Sequence, residues 1–423
     1  MHKFLTAFSA LALVAAPSVA QDTTAGSALT IRTTDTNVAR SALRMFESSA
    51  ELPTPGDGGC IVLSLDDGGQ MTARAGEGSN WLQIDADPSI LMQIFAPQIQ
   101  QARGMAQMVG GMQLAQAGMD FETVNKVVGA VFEFPNQIGA LRITMPKEAN
   151  PENGVDLTVD MTPVADTWFD KLVKNAKQTG QGIPTIDAAS PLATMFLDVD
   201  LTALETQLQP LMDFGMAFMG ATGEGEDAEA MKTMSRQMTQ QWVGTAMMTW
   251  DASNGMRALS GVKDSAKLAE MMDDPLYEKI AKASGEMAGN AEVEFTRAAF
   301  EHRGVKVVSN KVIYDDPSQM PLSEDGTMQQ YVAAAGNTMV MTMFGGGKDA
   351  ISGLIDLALD EQAKRTKLPK GTMMTVGLNM AEMLDTMSQS GQVPPGAADE
   401  APEKVDISLS KGGNKLTLKV FAK

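Results

Sequence analysis

The sequence predicts an α+β fold: curved antiparallel sheets of β-hairpins packed on long amphipathic helices, internally duplicated. Three observations predict it. Short alternating apolar runs meet at Asn153–Gly154, Asn254–Gly255 and Gly412–Asn414, residues suited to tight hairpin turns. Apolar residues spaced three or four apart follow the acidic caps Asp87 and Asp200. The same grammar recurs at one constant offset. Ile84, Asp85, Asp87, Leu91, Phe95, Pro97 and Ile99 match Leu197, Asp198, Asp200, Leu204, Leu208, Pro210 and Met212. A third copy spans Val376–Met387, with Asn379 at the cap.

Taken in order, Leu29–Thr34 reads as a strand and Asn37–Ser48 as a helix. Cys60–Leu65 and Gln70–Ala75 form a hairpin. Trp81–Ile84 leads into the first long helix, Ile84–Gly110, where Pro88 suits the first helical position. Glycines at 104, 110, 111 and 118 weaken that region by up to about 1 kcal/mol per site. They point to close helix packing or an adaptable surface. Hairpins follow at Leu141–Met161 and Thr245–Ser260, each leading into a helix, from Asp166 and Asp264. Pro210 lacks the N–H that an inner helical turn needs, which predicts a kink. Glu224–Glu229 reads as an acidic connector before helix Ala228–Trp242. Helices Ser265–Met272 and Leu276–Ala288 precede strands Glu292–Phe300 and Val305–Tyr314, joined by a turn at His302–Gly304. A hairpin at Tyr331–Phe344 leads to helix Ala350–Ala363, and a Pro/Gly/acid linker, Gly391–Lys404, precedes the last hairpin, 405–421.

Met1–Ala20 has the form of a secretory leader: Lys3, an apolar stretch from Phe4 to Ala16, then Ser18 and Ala20. The expected organisation is leader 1–20, an N-terminal half 21–185 and a C-terminal half 186–423. The mature protein is expected in the periplasm or outside the cell. No cysteine follows the cleavage point to carry a lipid anchor, and no later run approaches a membrane span. The formal net charge of −19 argues against nucleic acid and anionic lipid as partners. Cys60 is the single cysteine, read as a small buried strand residue.

Three segments, Lys263–Met272 (KDSAKLAEMM), Arg303–Val308 (RGVKVV) and Tyr331–Met343 (YVAAAGNTMVMTM), together resemble a loose class of exported bacterial proteins of unknown function. The resemblance spans Met195–Leu384. It implies a secreted α+β fold with repeated units and no particular activity.

The composition carries 33 methionines. Pairs such as Met216/Met219 and Met380/Met383 follow helical spacing, and Met339/Met341/Met343 alternate as on a strand. Thioethers are ligands for Cu(I), but the spacing fits a methionine-lined core or pocket better, and no histidine supports a metal. Asp85 with Asp87, and Asp198 with Asp200, resemble paired cation ligands, yet capping accounts for Asp87 and Asp200. Gly345–Lys348 lacks the spacing of a phosphate loop, and Ser408–Lys411 is a chance Ser-x-x-Lys match on a strand. His302, the one histidine after the leader, reads as a surface residue, with no nucleophile elbow beside it.

The sequence therefore points to a non-enzymatic exported binding protein for an apolar ligand, a lipid or a hydrophobic segment. It is expected to use no cofactor, no metal and no catalytic residue. The expected ligand-binding residues are Met105, Met108, Met112, Leu208, Met212, Met216 and Met219. The alternative is a structural or protein–protein interaction module of the envelope or extracellular space, with an envelope protein as partner. The sequence does not set the oligomeric state. A carboxylate-based hydrolase is the third reading, since two acids can be brought together by folding alone.

Overall fold

Alternating apolar residues need a covered sheet face, and the chain supplies it twice. The computed structural model describes residues 27–56, 59–78, 80–116, 121–146, 154–218, 226–251, 254–286, 291–314, 327–389 and 401–423. The expected leader, residues 224–225, Met219 and most of the Pro/Gly/acid linker lie outside them. By its internal contacts the chain forms two compact units, which meet in sequence at Asn175 and Ala176. The C-terminal residues Leu409–Lys423 belong to the first unit. The sequence reading groups that ribbon with the C-terminal half, because the long-range pairing that places it has no local signature.

Unit 1 contains β1 (Ser27–Thr33), α1 (Thr36–Met45), β2 (Gly59–Asp66), β3 (Met71–Glu77), β4 (Asn80–Ala86), α2 (Pro88–Ile94), α3 (Ala96–Gln116), α4 (Phe121–Glu133), β5 (Ile138–Pro146), β6 (Val155–Pro163) and α5 (Trp168–Asn175). Asp35 caps α1, accepting from the N–H groups of Asn37 at 2.7 Å and Val38 at 3.3 Å. Asp87 caps α2, accepting from Ser89 and Ile90 at 2.9 and 3.3 Å, with Pro88 at the first helical position. The long helix expected from residue 84 breaks at Phe95. Pro97 cannot donate into a continuing helix, and its missing N–H falls in the first turn of α3, where no partner is needed. Leu29, Ile31, Leu43, Ile61, Leu63 and Leu141, all buried, form the core. Cys60 is buried in β2.

The opposite face of this sheet is polar. Asp85 of β4, 2% exposed, accepts from Arg32 of β1 at 2.7 Å and Arg142 of β5 at 2.6 Å. Arg142 lies opposite Asp160 of β6.

Unit 2 contains β7 (Ile183–Pro184), β8 (Ala193–Asp198), α6 (Leu201–Phe218), α7 (Glu226–Gln241), β9 (Trp242–Asp251), β10 (Gly255–Val262), α8 (Ser265–Asp273), α9 (Pro275–Glu286), β11 (Ala291–His302), β12 (Val305–Tyr314), β13 (Thr327–Ala335), β14 (Thr338–Met343), α10 (Gly347–Leu359), β15 (Arg365–Thr366), β16 (Thr372–Asn379), α11 (Met380–Gln389) and the first part of β17 (Lys404–Gly412). Its strands run β11-β12-β13-β14-β10-β9-β8-β16-β17, and β7 pairs with β15 apart from them. The last strand, β18 (Lys415–Ala422), lies in unit 1, whose order is β18-β6-β5-β4-β1-β2-β3. Every pairing given by residue register is antiparallel, as in β18 with β6.

The β18–β6 pair carries a titratable tie. Asp160 accepts from Thr417 Oγ1 at 2.5 Å and Lys415 Nζ at 2.9 Å. Burial alone would raise the Asp160 carboxyl, but these hydrogen bonds and the charges of Lys415 and Arg142 outweigh it and hold it below the usual range. A carboxyl held down by folding stabilises above its unfolded pKa, and that contribution is lost as pH falls toward the folded value. Lys415→Met is therefore expected to flatten the acid limb of unit 1's stability–pH curve below about pH 4. An unchanged curve in urea titrations would contradict this.

Both capped segments enter the same local frame. β4 pairs with β5 so that Asp85 faces Arg142, and β8 pairs with β9 so that Asp198 faces Thr245. Asp200 caps α6, accepting from Ala203 N–H at 3.1 Å, and Asn379 accepts from Glu382 N–H at 3.2 Å at α11. α6 runs as one helix through Pro210, so the two prolines act differently. Three local expectations shift. Glu226–Glu229 is helical, as the first turn of α7. α10 starts and ends earlier than 350–363. Of the pair Asn254–Gly255 at the β9–β10 turn, Gly255 takes a positive φ and Asn254 does not. Asn254 is held instead by its N–H and side-chain amide donating to Asp251 Oδ1, at 2.7 and 3.0 Å.

A methionine-lined sheet face as candidate functional site

Strand alternation and register decide what each face of unit 2's sheet presents. Met341 of β14 lies opposite Ala258 of β10, Ala258 opposite Met248 of β9, and Met248 opposite Met195 of β8. One row away, Met343 faces Met256, which faces Trp250. On the other side, Met339 faces Ser260, and Leu197 faces Met374. Residues two apart share a face, so Met195, Met248, Met256, Met339, Met341, Met343 and Met374 all lie on one side, across five neighbouring strands. Each is half-buried.

The cover over this face is uneven in kind. At the β12–β13 end, Val308 and Val332 close a core with Leu268 and Met272 of α8, joined by Met238 of α7, Tyr277 of α9, Phe295 of β11, and Met339 and Met341 of β14 themselves. Toward β8 and β9 the face is methionine, tryptophan and alanine, with Leu197 among them. α6 and α7 both contact β9, and Leu204 of α6 and Met234 of α7 are buried. Unit 1 makes the contrast. Its corresponding face carries Leu82, Leu141, Ile143, Met145 and Leu157 at 2–8% exposure, with Ile84, Val159 and Met161 half-buried beside them, and is richer in branched side chains. Leu and Ile fit a fixed core with defined rotamers, whereas unbranched Met adapts its shape to what it meets.

The residues expected to bind ligand fall in both units. Met105 and Met108, one turn apart on α3, are 52% and 62% exposed. The described part of α3 therefore does not bury that stripe as its spacing predicts. Leu208 is half-buried on α6. Met112, Met212 and Met216 belong to α3 and α6 by backbone, but their side chains, and Met219 altogether, lie outside the described residues. The seven sheet methionines are largely missed by helix-based reading. Only the alternation of Met339, Met341 and Met343 signals them.

The acids and the histidine that the sequence raises as candidate chemistry are absorbed into structure. Asp85 is held by two arginines, and Asp198, 1% exposed, accepts from Thr179 N–H at 2.9 Å and Thr179 Oγ1 at 2.5 Å. His302 ends β11 rather than sitting in the turn, which is Arg303–Gly304. Its Nε2 lies 2.9 Å from Asp356 Oδ1, with Arg303 at 3.1 Å from the same oxygen. The hydrogen bond from His302, with Arg303, holds the Asp356 carboxyl below its ordinary range. Among the described residues no cluster of three or more His, Cys, Asp or Glu is placed to hold a metal, and no helix is long and apolar enough to cross a membrane.

Two depressions stand out in unit 2, and neither is methionine-lined. One, of about 620 Å³, lies beside Arg303 and Asp356. The other, of about 500 Å³, lies between the β13–β14 turn and the end of α10. Compared with known proteins, the chain matches no family model, and no curated protein or solved structure is significantly similar to it.

Proposed function

We propose that the protein is a non-enzymatic, exported binding protein for an apolar ligand, a lipid chain or a hydrophobic segment. The ligand lies against the methionine-lined face of unit 2. The observation that carries the reading is the contrast between equivalent faces: richer in buried, branched side chains in unit 1, richer in half-buried methionine in unit 2. Adaptable thioether side chains suit partners of varied apolar shape. The leader supports export to the periplasm or beyond, and the shared strand–cap–helix–hairpin frame supports an internal duplication with amphipathic helices. Duplication leaves one copy free to keep the packed core while the other loosens. Met212, Met216 and Met219, with Leu208, would extend the surface along α6, and Met105, Met108 and Met112 would add an apolar stripe in unit 1.

Native mass spectrometry of the purified protein, followed by solvent extraction, tests the reading. The expected result is a co-purified apolar molecule, or saturable uptake of an uncharged monoacylglycerol. A protein that carries nothing and takes up none of this probe contradicts it.

The exposed Met105 and Met108 favour a second reading, an interaction module of the cell envelope. A stable protein partner captured from envelope extract, lost on Met105→Glu with Met108→Glu while lipid uptake is absent, would favour that reading instead.

A further inference from the structure

We infer that the 500 Å³ depression in unit 2 is a second site, which takes a small zwitterion bearing both a carboxylate and a protonated amine, such as a free amino acid. It lies opposite the methionine face, beside the core that Leu259 and Val340 form with Ile351 and Ile355 of α10, and is independent of the apolar-ligand reading.

Its floor is built by register. Gly261 of β10 pairs with Thr338 of β14, and Thr245 of β9 stands on Gly261's other side. Thr245 is 4% and Thr338 6% exposed, and both line the depression. Neither hydroxyl has a hydrogen-bond partner among the described residues. Gly261 keeps the floor open: a Cβ there would stand 2.3 Å from Thr245 Oγ1 and 2.7 Å from Val243 Cγ2. Unit 1 fills the matching stretch of its sheet with the charged pair Arg142 and Asp160. Both hydroxyls open onto the depression, where the polar groups of a ligand can reach them.

The rim carries both signs of charge. Lys263 and Arg365 are exposed there, and neither joins an ion pair among the described residues; Arg365 donates only to the Gly182 carbonyl, at 3.1 Å. Glu361 is likewise unpaired, next to Ala358 and Leu359 at the end of α10, where helix carbonyls present partial negative charge. Two cations suit a carboxylate, and an acid beside a helix C-terminus suits an ammonium. The hydroxyls of Thr245 and Thr338, with Asn337 and Gln181, supply uncharged donors and acceptors between them. The volume lies in the range of small-molecule sites, about 300–1,000 Å³, and suits a single amino acid better than a polymer.

Calorimetry on the full chain, with the twenty common amino acids as probes, tests the inference. The expected result is saturable binding of at least one amino acid. Its amine without the carboxylate, and its acid without the amine, should each bind at least tenfold more weakly. Lys263→Met with Arg365→Met should weaken the amino acid at least tenfold, and Thr338→Val, which keeps the shape of the floor, severalfold. Lys348→Met, outside the depression, should leave binding unchanged. Retained monoacylglycerol uptake in these variants would show that the apolar site is intact. The inference fails if none of the amino acids binds at 10 mM (roughly the weakest affinity worth the name). It also fails if singly charged analogues bind as well as the zwitterion, or if the rim and floor variants bind like the parent.

Discussion

Gly244→Ala is expected to unfold unit 2, at a loss of more than about 4 kcal/mol. Gly244 sits near the start of β9 with φ +98°, a backbone that side chains rarely adopt. A Cβ there would stand 1.7 Å from the Val199 carbonyl oxygen and 2.9 Å from Leu201 Cγ. The contact cannot relax by turning a side chain, because the obstacle is backbone. That backbone is itself fixed, since Val199 N–H donates to the Gly244 carbonyl at 2.9 Å. Val199 and Asp200 form the link from β8 to the capped start of α6, so opening this contact releases strand and helix together. Hydrogen exchange resolved by peptide should show lost protection across β8, β9 and α6, with the core of unit 1 still protected. A variant with the parent's denaturation midpoint would contradict this account of the turn.

Asp85→Ala is expected to cost unit 1 about 3 kcal/mol, the low end for breaking a buried ion pair. The carboxylate is 2% exposed and is shared by Arg32, Arg142 and the Gln83 amide at 2.6–2.7 Å. Removing it leaves two guanidinium groups side by side without the carboxylate between them. Arg142 is 41% exposed and recovers some solvation, which keeps the cost from the upper end. Asp85→Asn should recover only part, because an amide keeps the shape and one acceptor but not the charge. Urea denaturation of the purified variants checks the order parent, Asn, Ala. Equal midpoints for parent and Ala would show that the group contributes nothing net.

These two residues also mark where sequence reading succeeds and where it stops. The caps Asp87, Asp200 and Asn379 were legible because they act on amides two or three residues away. Most hairpins were legible because alternation and turn residues are local signals. Asp85 was not: its arginines lie 53 and 57 residues away, so nearby sequence shows only an acid two residues before a cap. The fates of Pro97 and Pro210 were equally hidden. A missing N–H can end a helix or be absorbed within one, and the tertiary setting decides. The methionine face shows the same limit. Met339, Met341 and Met343 announce one strand, but Met195, Met248, Met256 and Met374 join them only through registers set across the sheet. Helical spacing drew attention to Met105 and Met108 instead, which the fold leaves exposed.

The apolar-ligand account rests on half-buried methionines being a receptive surface rather than a loosely packed core. Methyl NMR of methionine-labelled protein, titrated with an uncharged monoacylglycerol, tests this most directly. The predicted result is saturable shifts in the methyl signals of Met195, Met248, Met256 and Met341, while that of Met145 in the unit 1 core stays in place. Unmoved signals from the sheet methionines at a saturating concentration of the probe would contradict the account.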